Sequence, residues 1–220
     1  PALPLLAIAG TPGGGFTQGI GTSVLLWDAA NNRSAGQLNH ANIVINLAFS
    51  GDGTKLATDT TEGGSMIVSL WDVGTQQRIT SFPTTTIQHF MGTPLALNAD
   101  GSQIAVGYPD GSFSLWTVAG ADAAQQYSVQ VFDATIGEVV SVVRLSPDGS
   151  LVALAGGVPF SGGLTGDEQF PIYLLDAATG ATLAQLEGHD SLIRDLAFSR
   201  DGRFLISAGD SSVKFWGVGG

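Results

Sequence analysis

Four tetrapeptides, Ser50-Gly51-Asp52-Gly53, Asn98-Ala99-Asp100-Gly101, Ser146-Pro147-Asp148-Gly149 and Ser199-Arg200-Asp201-Gly202, recur with Gly-to-Gly steps of 48, 48 and 53 residues. A second marker, Leu26-Trp27-Asp28, Leu70-Trp71-Asp72, Leu115-Trp116-Thr117, Leu174-Leu175-Asp176 and Phe215-Trp216-Gly217, returns at steps of 44, 45, 59 and 41 residues. The two markers keep the same order throughout. The chain is therefore a tandem repeat with a unit of 40–50 residues, and periods of that size belong to solenoids and propellers.

An Asp-Gly pair between apolar runs signals a β-hairpin, because its residues tolerate φ > 0. Before the turn lie the β-rich runs Ile45–Phe49, Pro94–Leu97, Val139–Leu145 and Ile193–Phe198. After it come Leu56–Thr58, Ile104–Gly107, Leu151–Ala155 and Phe204–Ala208. A third strand ends at the tryptophan marker, as in Ile67–Trp71, Ser112–Trp116, Ile172–Leu175 and Val213–Trp216. A more polar fourth follows: Arg78–Phe82, Gln126–Phe132 and Thr182–Leu186. Leu3–Ala9 fits a buried strand, and no stretch sustains the 3.6-residue apolar period of a helix. Four antiparallel strands per unit, repeated radially, make a propeller blade. With the strands lettered a to d from the axis outward, the chain reads bcd, abcd, abcd, abcd, abc, which is 18 strands or about four and a half blades. Residues 1–220 are read as a single propeller domain that lacks one strand at each end. Two arrangements stay open: a five-bladed ring with two imperfect blades, or a segment of a larger ring.

Composition removes other classes. Of 220 residues, 8 are Lys or Arg and 19 are Asp or Glu, a net charge of −11, and only 12% are charged against about 25% in ordinary domains. With 44% hydrophobic residues the chain has material for a core, so disorder is not expected. Its 31 glycines lack the three-residue period of collagen. No apolar run reaches the ~18 residues of a spanning helix, so direct membrane insertion is not expected. Eight cations against 19 anions make no phosphate-neutralising face, so nucleic acid is not an expected partner.

These residues carry a resemblance. The Trp-Asp pairs at 27–28 and 71–72, the Asp-Gly hairpins and the Gly188-His189 pair are similar to the WD-repeat β-propeller family, over essentially the whole chain. The last unit, from Gly188-His189 to Trp216, is the best match, while Asn39-His40 and Gln88-His89 stand for Gly-His in other units. The resemblance implies a β-propeller, commonly of seven blades, that binds protein partners. It also implies a structural hydrogen-bond tetrad of His189, Ser207, Asp210 and Trp216, in which a carboxylate orients an imidazole that meets a hydroxyl and then an indole N–H. Asp110 and Trp116 repeat the six-residue spacing with His89 upstream, but the hydroxyl position there is Val106, which leaves that network incomplete.

No catalytic, cofactor or metal constellation is expected. His40, His89 and His189 fall at equivalent repeat positions and so spread around one face instead of converging. Gly10–Gly21 has the glycines of a phosphate loop without its Gly-Lys-Ser/Thr ending. Asp167 and Glu168 are only two of the ~6–8 ligands that calcium requires. The Asn32-Arg33-Ser34 triplet fits a glycosylation sequon in a turn.

The b–c connections are long in three units, Gly10–Thr22, Asp59–Met66 and Gly156–Phe170, and long loops in compact domains tend to be functional. In the propellers that the chain resembles, b–c and d–a loops share one face, the top. Partner contacts are expected there from Phe16, Ile20, Asp59, Glu62, Phe160, Leu164, Asp167, Glu168 and Phe170. The same face gathers Asp110, Asp133, Glu138, Glu187, Asp190 and Asp210, with Arg194 read as opening the next strand; the top is expected to be acidic and to attract a basic partner. The function expected is a non-catalytic protein-interaction scaffold. Two alternatives stand beside it: a structural subunit completed by a neighbouring chain, and an enzyme or small-ligand receptor using the central channel. Absent Cys, scarce Lys and a non-Met start lean toward an exported, processed protein.

Overall fold

The computed structural model describes residues 5–9, 22–86, 93–133, 138–157, 170–209 and 212–218. Among them are 18 strands and no helix, grouped in five antiparallel sheets. Blade I holds β1 (Leu5–Ala9), β2 (Ser23–Asp28) and β3 (Arg33–Asn39). Blade II holds β4 (Val44–Phe49), β5 (Lys55–Glu62), β6 (Ser65–Asp72) and β7 (Gln77–Thr86). Blade III holds β8 (Leu95–Leu97), β9 (Gln103–Gly107), β10 (Ser112–Ala119) and β11 (Asp122–Gln130). Blade IV holds β12 (Val139–Leu145), β13 (Leu151–Gly157), β14 (Ile172–Asp176) and β15 (Thr182–Leu186). Blade V holds β16 (Asp195–Phe198), β17 (Phe204–Ala208) and β18 (Val213–Gly217). The strand pattern bcd, abcd, abcd, abcd, abc is the one the repeat spacing predicts. The a strands β4, β8, β12 and β16 are consecutive neighbours.

The blades are joined face to face by one recurring junction. Alternate residues of a strand point to opposite faces, so each c strand sends two apolar side chains toward the next blade: Val24 and Leu26, Val68 and Leu70, Phe113 and Leu115, Ile172 and Leu174. All eight are 5% exposed or less. Each pair is covered by the b strand and the marker residue of the following blade: Leu56 with Trp71, Ile104 with Trp116, Val152 with Leu175, Leu205 with Trp216. Phe82 adds to the second junction by stacking on Trp116, with ring centroids 4.1 Å apart. A fully buried side chain of this size stabilises by roughly 1.5–3 kcal/mol, so the junctions are the main cohesive element of the chain. The c–d ladder slips by one residue just before the marker in blades I to IV, a bulge that bends the strand.

The Asp-Gly turns differ from the two-residue hairpin with successive positive φ angles. Only the glycine has left-handed φ, +71° at Gly53, +66° at Gly101, +73° at Gly149 and +71° at Gly202. The residue three before it accepts the glycine N–H, as in Gly53 to Ser50 and Gly149 to Ser146, both 2.9 Å. This is a wider loop built on a type I turn. The aspartate fixes it: Asp148 Oδ1 accepts from Ser146 Oγ at 2.6 Å and from Ser150 N at 3.1 Å. The Ser146 hydroxyl, and then the Ser150 amide, hold the Asp148 carboxyl below its ordinary range. The aspartates that follow the marker residue cap the c–d turns in the same way, Asp72 through Thr75 N at 2.7 Å and Asp176 through Thr179 N at 2.8 Å.

The stretch 59–66 is a second difference from expectation. It is not a loop. β5 continues to Glu62 and β6 begins at Ser65, paired with each other across Gly63-Gly64. Their φ values of +58° and +85° are those that a tight two-residue hairpin requires.

Candidate functional site

Antiparallel order puts the b–c turns and d–a connections of every blade at one rim and the a–b and c–d turns at the other. At the first rim Glu62, Asp110, Asp133, Glu187 and Asp190 are exposed. Asp110 accepts from Ser112 N at 3.0 Å and Ser112 Oγ at 2.6 Å, which shapes the β9–β10 turn. Glu138 is half-buried and accepts from Asp133 N at 2.8 Å. Arg194 departs from expectation, because β16 begins at Asp195. Arg194 lies in the d–a connection and is exposed, so the rim carries a cation among its acids.

The residues expected to meet a partner are placed unevenly. Glu62 stands at the tip of the β5–β6 hairpin and is exposed. Asp59 sits inside β5 with no exposed surface, opposite Val68 of β6. Phe170 is 7% exposed and its ring lies near Gly157. Neither Asp59 nor Phe170 presents its side chain to solvent, because each is covered by its own sheet or its neighbour. Phe16, Ile20, Phe160, Leu164, Asp167 and Glu168 lie outside the described residues, as do His89 and Asp210.

Three buried hydroxyl networks hold the marker indoles. In blade V, His189 Nε2 meets Ser207 Oγ at 2.6 Å and Trp216 Nε1 donates to the same oxygen at 2.9 Å. The other ring nitrogen is His189 Nδ1. That atom is buried with no partner among the described residues. A Cβ placed on Gly209 would stand 2.8 Å from it. The backbone at Gly209 therefore packs directly on the imidazole.

Blade II builds an equivalent that the sequence reading missed. His40 Nε2 meets Thr58 Oγ1 at 2.9 Å, and Trp71 Nε1 donates to that oxygen at 3.0 Å. The Leu38 carbonyl, 3.3 Å from Nδ1, stands where a carboxylate is expected in blade V. The signal was present: histidine and hydroxyl are 18 residues apart in both blades. In blade III the network expected to be incomplete closes differently. Val106 is apolar and buried, but Trp116 Nε1 donates to Ser114 Oγ at 2.9 Å, and Tyr108 Oη shares that hydroxyl at 2.5 Å. Asp110 serves its turn. These chains of donor and acceptor are structural: each satisfies polar groups that burial would otherwise leave unpaired.

Asp59 is the one buried carboxylate of this rim with an unpaired oxygen among the described residues, Oδ1. Thr93 Oγ1 donates to Oδ2, and Asn46 Nδ2 holds the Thr93 carbonyl at 2.9 Å. Burial pushes the Asp59 carboxyl up to about 6, against the pull of the Thr93 hydroxyl and amide. A raised folded-state value means stability that is full below pH 3.8 and is lost as pH rises through about 6. Asp59→Asn keeps the acceptor for Thr93 and removes the charge. It is expected to be more stable than the parent by roughly 3 kcal/mol at about pH 8 and nearly equal at about pH 3.5. Urea unfolding at the two pH values measures this; an equal gain at both would contradict it.

Among the described residues no group of three or more His, Cys, Asp or Glu side chains is placed to hold a metal ion. No helix among them is long and apolar enough to cross a membrane.

The comparisons with known proteins agree with this architecture. The family description "WD domain, G-beta repeat" matches residues 180–217. Nuclear distribution protein PAC1 of Arthroderma benhamiae is 40% identical over 82 residues, 36% of this chain and 17% of that protein. Echinoderm microtubule-associated protein-like 3 of Homo sapiens is 32% identical over 123 residues, 54% of this chain and 12% of that protein. WD repeat-containing protein 36 of Homo sapiens is 46% identical over 50 residues, 22% of this chain and 6% of that protein. Kuenenia stuttgartiensis hydrazine synthase superposes with a TM-score of 0.63 at 20% identity, covering 86% of this chain and 49% of that one. At that identity the likeness is one of fold. The fold is a β-propeller, and its last unit, residues 180–217, matches the WD-repeat description directly. WD-repeat proteins serve generally as protein-interaction scaffolds. This chain spans 17% of the length of the first relative named and 12% of the second.

Proposed function

We propose that the chain is a non-catalytic scaffold that binds a protein partner through the rim carrying the b–c and d–a connections. The observation that supports it most is the exposure of Glu62, Asp110, Asp133, Glu187 and Asp190 at that one end of the blades. A rim dominated by acids attracts a basic surface and speeds encounter without contributing to the fold. The partner it suits is a protein with a basic patch. Apolar anchors come from the two glycine-rich connections, through Phe16 and Ile20 in one and Phe160 and Leu164 in the other, with Asp167 and Glu168 adding charge. Aromatic side chains supply much of the energy of such contacts.

The test exchanges residues 158–169 for a two-residue Gly-Gly turn copied from Gly63-Gly64. The exchange leaves β13 and β14 paired, so the circular dichroism and thermal midpoint are expected to stay near those of the parent. Partners captured by the parent and identified by mass spectrometry are expected to be lost, and their binding to the parent to weaken with salt. A folded exchange variant that keeps the same partners at the same affinity contradicts the proposal.

A further inference from the structure

In blades II to V the first residue of the b strand is paired with the residue that follows the marker: Lys55 with Asp72, Gln103 with Thr117, Leu151 with Asp176 and Phe204 with Gly217. In blade II that residue reaches across to the Asp-Gly turn of blade III. The Lys55 side chain lies over Gly101, where an added Cβ would stand 2.9 Å from Lys55 Cδ, and the ammonium donates to the Asp100 carbonyl. Its charge acts on the carboxyls of Asp52, Asp72 and Asp100. Gln103 takes the same path one blade on, since an added Cβ on Gly149 would strike its Oε1. It brings no charge, and Oε1 is buried with no partner among the described residues. Two of the three carboxyls recur there, Asp100 for Asp52 and Asp148 for Asp100, while Thr117 stands for Asp72. Beside them opens a pocket of about 440 Å³, whose lining includes Asn98, Asp100, Ser102, Gln103, Thr117 and Asp148 and holds no Lys or Arg.

We propose that this pocket between blades III and IV binds a small organic cation bearing a primary ammonium group. The occupant follows from the adjoining junction, where the ammonium of Lys55 fills the corresponding position. The bound amine donates to the Asp148 carbonyl as Lys55 Nζ does to that of Asp100, and the carboxyls of Asp100 and Asp148 supply the opposite charge. Each carboxyl is already fixed, through Oδ1, by the serine two residues on, Ser102 at 2.6 Å and Ser150 at 2.8 Å. The site is therefore ordered before the ligand arrives, which lowers the cost of binding. The volume suits a small molecule, whose sites span about 300–1,000 Å³. The pocket lies among the a–b and c–d turns, at the rim opposite the proposed partner surface, so the two proposals stand or fall separately.

Nuclear magnetic resonance titration of the whole chain with n-butylammonium, the lysine side chain without its backbone, tests this. Saturable shifts are expected at the amides of 98–103, 117–118 and 148, with half-saturation near about 1 mM and weaker binding in salt. Gln103→Lys is expected to lower the affinity at least about tenfold, because the pocket then holds an ammonium of its own. Lys55 shows that the register accepts this residue, so the rest of the variant's spectrum is expected to match the parent's. Thr117→Asp restores the third carboxyl and is expected to tighten binding about threefold. A parent without saturable shifts overturns the proposal. So does n-butanol binding as well as the amine, or a Gln103→Lys variant that binds the amine as the parent does. Tighter binding of acetyl-Gly-Lys-Gly-amide than of n-butylammonium also overturns it, since the pocket then belongs to a peptide.

Discussion

Leu115→Ala is expected to destabilise the chain by about 2–5 kcal/mol, the range for truncating a buried leucine, while Phe215→Ala costs about 0.5 kcal/mol or less, as at an exposed site. The two side chains occupy the same register position of the same strand in different blades. Leu115 has no exposed surface, packed among Val143, Val152, Leu154 and Leu175. Phe215 is 71% exposed. Only the presence of a following blade separates them. Urea unfolding gives both values. Similar losses at the two positions would falsify the assignment of the junctions as the main cohesive element.

Thr58→Val is expected to cost about 2–5 kcal/mol, although it conserves shape. It strips the hydroxyl that His40 Nε2 and Trp71 Nε1 share, and leaving a buried polar group unpaired costs about 1–3 kcal/mol each. Thr58→Ser, which restores the oxygen, is expected to recover most of the loss. The network is also sensitive to acid. Burial holds the His40 imidazole below its ordinary 6.5, helped by Arg78 and opposed by the Leu38 carbonyl. Its contribution is therefore present above pH 6.5 and is lost as pH falls. His40→Gln is expected to flatten that part of the pH–stability curve. A Thr58→Val variant as stable as the parent would show that the indole and imidazole find other partners.

Much of this architecture is legible in the residues, for physical reasons that differ from element to element. The Asp-Gly turns are legible because a left-handed glycine and a capping carboxylate have no common substitute, so Gly53, Gly101, Gly149 and Gly202 mark the a–b corner of blades II to V. Strands such as Val139–Leu145, Phe204–Ala208 and Thr182–Leu186 coincide with their apolar or alternating runs to the residue. β5 is different. Lys55–Glu62 is polar from Thr58 onward, yet it is buried between two blades through Thr60. A polar run reads as a loop, and nothing in its period reveals that Thr58 holds an indole and that Asp59 is enclosed. Ser114 escapes for a related reason: its hydroxyl replaces one expected on another strand, so the spacing changes while the chemistry is kept. The candidate rim is legible as charge, because carboxylates in turns stay solvated. Asp59 and Phe170 are the exceptions, each covered by packing that depends on a neighbouring sheet.

Hydrogen exchange of the chain with and without its captured basic partner tests the central claim most directly. The account expects slowed exchange on binding at the rim, in Glu62–Ser65, 158–169 and 187–194, with the hairpins at 51–54, 99–102, 147–150 and 200–203 unchanged. Protection concentrated in those hairpins, or on the Val213–Gly217 face, with the rim unchanged, would contradict it.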